Sequence, residues 1–400
     1  MHLIGYFEGI ESERGIEWRC ADSMSLREFL GLELTERVPD HSTLSRMRMR
    51  LPLDVHQQAF VLILGIVERK GLLRGRVSGV DSTFLRADAS MKAIVHRDTE
   101  ESGMESPTEE DARRFDRSRV GKRSSNKEWE SATDSDARIA KLKDGRTRLA
   151  YKSEHAVDLE TGAVVGVSVH PADRPDPATM EETLAEAEEN LQRVRSIDAA
   201  KDGDDDNGLP GGLPTQGAPE GARAVVADKG YNKAVLLRRL KEKGYSSFIP
   251  ERRQQGKRRW TGKGGRKTAV AFYESRARVK RNKGKGLQRK RGELLERTFA
   301  HICETGAARR TRLRGRENVS KRYLLQASAA NLGLVMRSLF GRGTPRGLAE
   351  SLQVCTRAIS RIMATPQAPM VALLRALFRS FERIRAPLRA ADLTRAFAKA

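Results

Sequence analysis

Apolar positions change their spacing along this chain, and each change predicts a different kind of element. Before residue 70 they recur at helical intervals. Residues 25–31 read as a helix closed by Gly31, and Pro39-Asp40-His41-Ser42 introduces a second over 43–48 with arginines on one side. A third and more apolar helix is expected over 57–67. Short β-branched runs then predict strands at 76–87, 148–158 and 163–169, the last two joined as a hairpin across Glu160-Thr161-Gly162. Asp176-Pro177 sets an N-cap before a proline and predicts a helix to about Val194. After it come a strand at 224–228, a helix at 232–243 and a strand at 246–249. An amphipathic helix is expected over 292–304, with Leu295, Phe299 and Ile302 inward, and a longer helix over 323–340.

Three stretches interrupt the pattern. Residues 97–147 are polar and read as loop with short helices, 202–221 are rich in Gly, Asp and Pro and read as a flexible loop, and 251–291 are too basic to show a core-forming pattern. The expected division is a helical, helix-turn-helix-like DNA-binding region (1–70), a catalytic domain (71–345) and a helical C-terminal tail (346–400). Any small helical hairpin gives the same N-terminal pattern; Arg46 and Arg48 are its DNA-contact candidates. The element order is that of an RNase H-like α/β layer, a mixed sheet with helices on both faces.

Charge sharpens this picture. The 400 residues carry a net charge of +22. Between Arg223 and Arg322 there are 32 Lys and Arg against 8 Asp and Glu, a surplus larger than that of the whole protein. One region therefore owns the basic character, which points to a polyanionic partner and a dedicated surface for it. No run of 18 apolar residues exists, so no membrane span is expected. Three scattered cysteines (Cys20, Cys303, Cys355) suggest neither disulfides nor zinc and fit a reducing cytoplasm. Gly264-Gly265 and Gly284-Lys285-Gly286 lack the strand-to-helix setting of a nucleotide loop, so no nucleotide cofactor is expected.

The chemistry rests on lone carboxylates. Asp81 and Asp228 each end a short β-branched run with no evident salt-bridge partner, and such an acid is costly to bury unless paired or bound to a cation. Glu296 lies about 100° around its helix from Leu295, at the edge of the apolar face. Together these acids suit two Mg²⁺ ions, with Mn²⁺ as a substitute, in an in-line phosphoryl displacement. Taken singly, each acid reads better as a turn or cap residue on the surface.

Val80-Asp81-Ser82-Thr83, Ala227-Asp228-Lys229-Gly230-Tyr231 and Glu296-Arg297-Thr298-Phe299-Ala300-His301 resemble the three motifs of the DDE transposases of bacterial insertion sequences, in the group named for insertion sequence five. His155-Ala156-Val157-Asp158, Pro171-Ala172-Asp173 and Ala330-Asn331-Leu332-Gly333-Leu334 extend the resemblance over about residues 5–345. It implies Asp81, Asp228 and Glu296 as catalytic, metal-binding residues, terminal inverted repeats and target DNA as partners, a homodimer or higher assembly on DNA, and a nucleoid-associated protein of the bacterial cytoplasm. Related transposases often carry an arginine four positions before the glutamate and a lysine seven after it. Gly292 and Cys303 stand there instead, which moves the expected phosphate contacts to Arg297, Arg309 and Arg310.

Lys229 beside the second aspartate is either a phosphate contact or a solvated lysine, and Tyr231 either a phosphate contact or a packed residue. Trp260, flanked by Arg258 and Arg259, either stacks on a base or packs in the protein. His155 and His301 read as core or hydrogen-bonded histidines rather than ligands. The expected function is DNA cleavage and strand transfer. Two alternatives stay open: a truncated, non-catalytic copy acting as a repressor, and a structure-specific nuclease on the same fold.

Overall fold

The computed structural model describes residues 1–96, 125–201, 223–252, 258–261, 264–351, 353 and 357. The expected loop at 202–221 and nearly all of the tail beyond 351 lie outside the described residues. The chain divides into two units, Met1–Asn331 and Leu332–Ala400. The candidate site belongs to the first.

That unit opens with short helices α1 (His2–Glu8), α2 (Glu13–Asp22), α3 (Met24–Phe29) and α4 (His41–Arg50), followed by the longer α5 (Leu53–Arg69). The caps explain the boundaries. Asp40 accepts from the Thr43 amide at 2.6 Å to start α4, and Gly9 ends α1 with φ of 68°, a left-handed conformation that glycine adopts without penalty. Pro52 supplies the extended residue before α5, whose Phe60, Val61 and Leu64 are buried.

The sheet follows: β1 (Val77–Arg86), β4 (Arg138–Lys141), β5 (Thr147–Asp158), β6 (Val164–Pro171), β7 (Ala224–Ala227) and β8 (Ser246–Phe248). Central β1 pairs antiparallel with β5 and parallel with β7, which pairs parallel with β8. The far side of β5 is shared, residues 147–150 pairing with β4 and 151–157 with β6. The order β6-β5-β1-β7-β8, with β5 reversed, is the RNase H-like arrangement. Short β2 (Ile94–His96) and β3 (Trp129–Ser131) form a separate antiparallel pair. β3 and β4 fall where the sequence suggested loop with short helices; β3 pairs with distant β2, and β4, a four-residue strand joined to β5 by a short turn, is too polar at its ends to stand out.

Helix α6 (Asp176–Lys201) covers one face of the sheet, where Met180 and Leu184 join Val80, Ala156 and Val225 in one apolar cluster. The short α7 (Ala234–Glu242) adds Leu236, Leu237 and Leu240 to it. A second cluster unites Leu85, Tyr151 and Val157 with Leu295, Tyr323 and Leu324, and with Phe60 and Leu64 of α5. The region thought too basic for a core instead forms α8 (Gly265–Lys280) and α9 (Asn282–Phe299). In α8, Thr268, Ala271, Phe272 and Ser275 bury one stripe while the cations take the others. A π-helical segment (Ala300–Thr305) continues α9, and α10 (Arg316–Phe340) follows. No single helix among the described residues is long and apolar enough to cross a membrane.

Candidate active site

Strand pairing brings the two aspartates together. Val80 faces Ala227 across the parallel β1–β7 ladder, so Asp81 and Asp228 are the next positions on adjacent strands. β7 stops there because Asp228 turns its carboxylate back to cap a 3₁₀ turn (Lys229–Tyr231), Oδ1 accepting from the Gly230 amide at 2.6 Å. Gly230 has little alternative: a Cβ there would sit 2.7 Å from Asp228 Oδ1 and 3.1 Å from Asp176 Oδ2. Arg252 steadies the turn, its guanidinium donating to the carbonyls of Lys229 and Gly230 at 3.0 and 3.1 Å.

Asp81 lies on the sheet face covered by α9. Gly79, two residues earlier on that face, leaves room for Leu295: a Cβ at Gly79 would approach Leu159 to 2.5 Å and Leu295 to 3.1 Å. Arg291, one turn before Leu295 on the same stripe, donates to Asp81 Oδ2 at 2.7 Å. Burial pushes the Asp81 carboxyl above the ordinary aspartate range, and the nearby charge of Asp228 adds to that. The Arg291 guanidinium and the Ser82 amide oppose the rise.

Glu296 is not with them. Leu295, Thr298 and Ile302 fill the buried stripe of the helix, and the one-residue step to Glu296 turns it into solvent. Among the described residues no group of three or more His, Cys, Asp or Glu side chains could hold a metal ion. The two aspartates have the hard oxygen donors a divalent cation needs; the third donor is absent from their neighbourhood in this arrangement.

Behind the aspartates, on the α6 face, lies a buried polar lattice that the sequence did not reveal. Ser82 Oγ donates to Asp176 Oδ1 at 3.0 Å. The Lys152 ammonium reaches Asp176 Oδ1, the Arg174 carbonyl and Thr179 Oγ1 at 3.3, 2.7 and 3.1 Å. Fully buried Glu154 accepts from Thr179, Thr183 and the Tyr231 hydroxyl, the last at 2.7 Å. Tyr231 is therefore packed, and its hydroxyl is not free to meet a phosphate. The alternation of Lys152 and Glu154 on β5, matched to Ser82 on β1, was the signal available.

The proposed DNA contacts divide into exposed and occupied groups. Arg46, Lys229 and Arg259 are exposed. Arg48 is not: it is buried in an ion pair with Glu13, because α2 packs across its side of α4. Arg258 pairs with Glu251 at 3.0 Å and lies 4.3 Å from the Phe272 ring centre. Trp260 is half-buried against Phe272 and Tyr273, with ring centres 5.4 and 5.9 Å away, so it packs rather than offering a free face. Exposed Arg297 and Arg309 pair with Glu293 and Glu304, and Arg310 lies 3.7 Å from Asp88. Cys303, at the position of the expected lysine, is buried beside the Tyr323 hydroxyl. His155 is buried as expected, its Nε2 2.8 Å from that hydroxyl and its ring stacked on Phe299 at 4.2 Å.

Comparison with known proteins agrees with this frame. Residues 76–332 match the family described as Transposase DDE domain, and residues 1–50 match Transposase domain (DUF772). The chain belongs to the DDE transposases and is a DNA transposase; enzymes of this family use divalent metal ions. Among solved structures it is similar to a Mos1 transposase paired-end complex with left transposon end, at 11% identity, covering 74% of this chain and 79% of that one. The TM-score is 0.20, too low to carry any argument. No curated protein matches.

Proposed function

We propose that Asp81, Asp228 and Glu296 form the catalytic set of this transposase, which cuts at the terminal inverted repeats of its element and joins the freed 3′ ends to target DNA. What supports the reading is one observation: two carboxylates on neighbouring positions of adjacent parallel strands, at the junction of an RNase H-like sheet. Two Mg²⁺ ions, or Mn²⁺ in their place, supply an activated oxygen nucleophile and a stabilised leaving oxygen when bound.

The chain's own residues do the rest. Asp81 and Asp228 provide paired oxygen donors on a rigid ladder. The lattice of Ser82, Lys152, Asp176 and Glu154 holds the strands beneath them in register. Arg291 neutralises Asp81 in this arrangement and would have to give way to a cation held there; Glu296 would join the two aspartates only if its helix turned. Exposed Lys229, Arg259 and Arg46 meet phosphates. Both element ends must be held at once, so the working form is a dimer or higher assembly on DNA, in the bacterial cytoplasm at the nucleoid.

The test uses the purified full chain with Mg²⁺ and a duplex carrying the DNA that flanks its gene. Cleavage at the element ends is expected, and Asp81→Asn should abolish it while gel shifts persist. Normal cleavage by Asp81→Asn overturns the assignment.

A further inference from the structure

β1 carries a second charged feature five residues beyond Asp81. A cleft of about 280 Å³ is lined by Thr83 and Phe84 and then by Arg86, Lys143, Arg148, Arg309 and Arg310, with Asp144 as its one acid among the described residues. We propose that this cleft seats the phosphate backbone of the DNA strand leading away from the aspartates. The inference rests on the transposase reading and specifies where its substrate lies.

Three observations carry it. First, five cations line the cleft against a single carboxylate, and crowding like charges is unfavourable unless an anion joins them. Arg86 shows this most clearly: among the described residues, no carboxylate forms an ion pair with its half-buried guanidinium. Burial holds its pKa below the ordinary arginine value, the charges of Arg148, Arg310 and Arg146 add to that, and Asp144 opposes them.

Second, the cluster is built on backbone. Arg86 and Arg310 form a parallel β-bridge, in which the Arg86 amide donates to the Arg309 carbonyl and the Thr311 amide donates to the Arg86 carbonyl, both at 2.9 Å. Arginines from distant parts of the chain are thus fixed side by side, which lowers the ordering cost of binding. The carboxylates that reach Arg309 and Arg310, Glu304 and Asp88, are surface partners that a phosphate can displace.

Third, the spacing suits a strand. Five residues of extended chain cover about 17 Å at about 3.3 Å per residue. One DNA strand presents a phosphate about every 3.4 Å of helix axis. Arg86, on the opposite side of β1 from Asp81 at this odd spacing, is therefore within reach of phosphates up to about five nucleotides from the one at Asp81.

The experiment measures binding of the full chain to the gene-flanking duplex by fluorescence anisotropy across a salt series. The double variant Arg86→Ala/Arg310→Ala should bind at least tenfold more weakly at low salt. The slope of log K against log salt should become shallower by about two, one for each lost phosphate contact. Circular dichroism and melting check that the variant is folded. If it is not, the second arm decides. Single methylphosphonates are placed along each strand of the duplex and scored with the wild-type chain. Weakened binding is expected at one or two linkages within about five nucleotides of the cleavage position.

An unchanged salt slope in the folded double variant, or a methylphosphonate scan that is flat over that range, overturns the proposal. Neither arm requires cutting, and both run equally well in Asp81→Asn protein. Failure of the carboxylate assignment is therefore seen separately.

Discussion

The two faces of the sheet around β1 are organised in opposite ways. On the α6 face, Lys152, Asp176, Glu154 and Tyr231 are buried or half-buried and cross-linked by hydrogen bonds, Glu154 receiving three of them. On the α9 face, Asp81 is held by one guanidinium and one backbone amide, and Glu296 stands in solvent. A satisfied polar lattice in a low-dielectric interior is stiff, and any loss of a partner is expensive. The single ion pair at Asp81, partly shielded from solvent, has far fewer partners to lose. The α6 face around the aspartates is therefore the frame, and the α9 face is where the proposed cation would bring about change.

His155 tests how firmly the sheet is sealed beneath the changeable face. Burial pushes its imidazole down to about 3. The unfolded chain, with an ordinary histidine pKa near about 6.5, takes up a proton that the native state refuses. Stability should be full above about pH 6.5 and fall as pH drops, by about 3 kcal/mol at about pH 4 from this group. Urea midpoints against pH for wild type and His155→Phe measure it. His170 and His2, pushed down to about 4, contribute alike to both proteins, so an identical slope in the variant removes His155 as the cause.

On the frame side, Tyr231→Phe deprives Glu154 of one donor and should cost about 1–3 kcal/mol in chemical denaturation. A cost near zero would show that the lattice does not act as a unit. The smallest effect belongs to Arg291. Its replacement by alanine removes the group competing for Asp81, so Mn²⁺ affinity, read by electron paramagnetic resonance, should tighten about tenfold, or about 1.4 kcal/mol. Weaker Mn²⁺ binding would mean that Arg291 supports the site rather than closing it.

Much of the sheet was legible in the sequence, β4 excepted, because β1, β6 and β7 are rich in β-branched residues and bounded by turn residues. Its order followed from the alternation of strands with helices. Asp81 and Asp228 were legible for the same reason: a lone acid closing an apolar run stands out. Glu296 was legible as a helical residue but not as a solvent-facing one, since a step of about 100° decides the matter and only packing sets the helix's rotation. The roles of Arg48 and Trp260 were hidden because Glu13, Phe272 and Tyr273 sit elsewhere along the chain and only the fold brings them near. Helix α8 was masked by its own cations, which cover every stripe except the one it buries.

Side chains on β1 alternate strictly between the two coverings, Asp81 toward α9 and Ser82 toward α6. A single codon gained or lost between the start of β1 and Asp81 would swap those destinations, driving the acid toward Lys152 and the serine toward Arg291. By the proposed role of Asp81, one in-frame insertion in this short stretch would abolish cleavage outright.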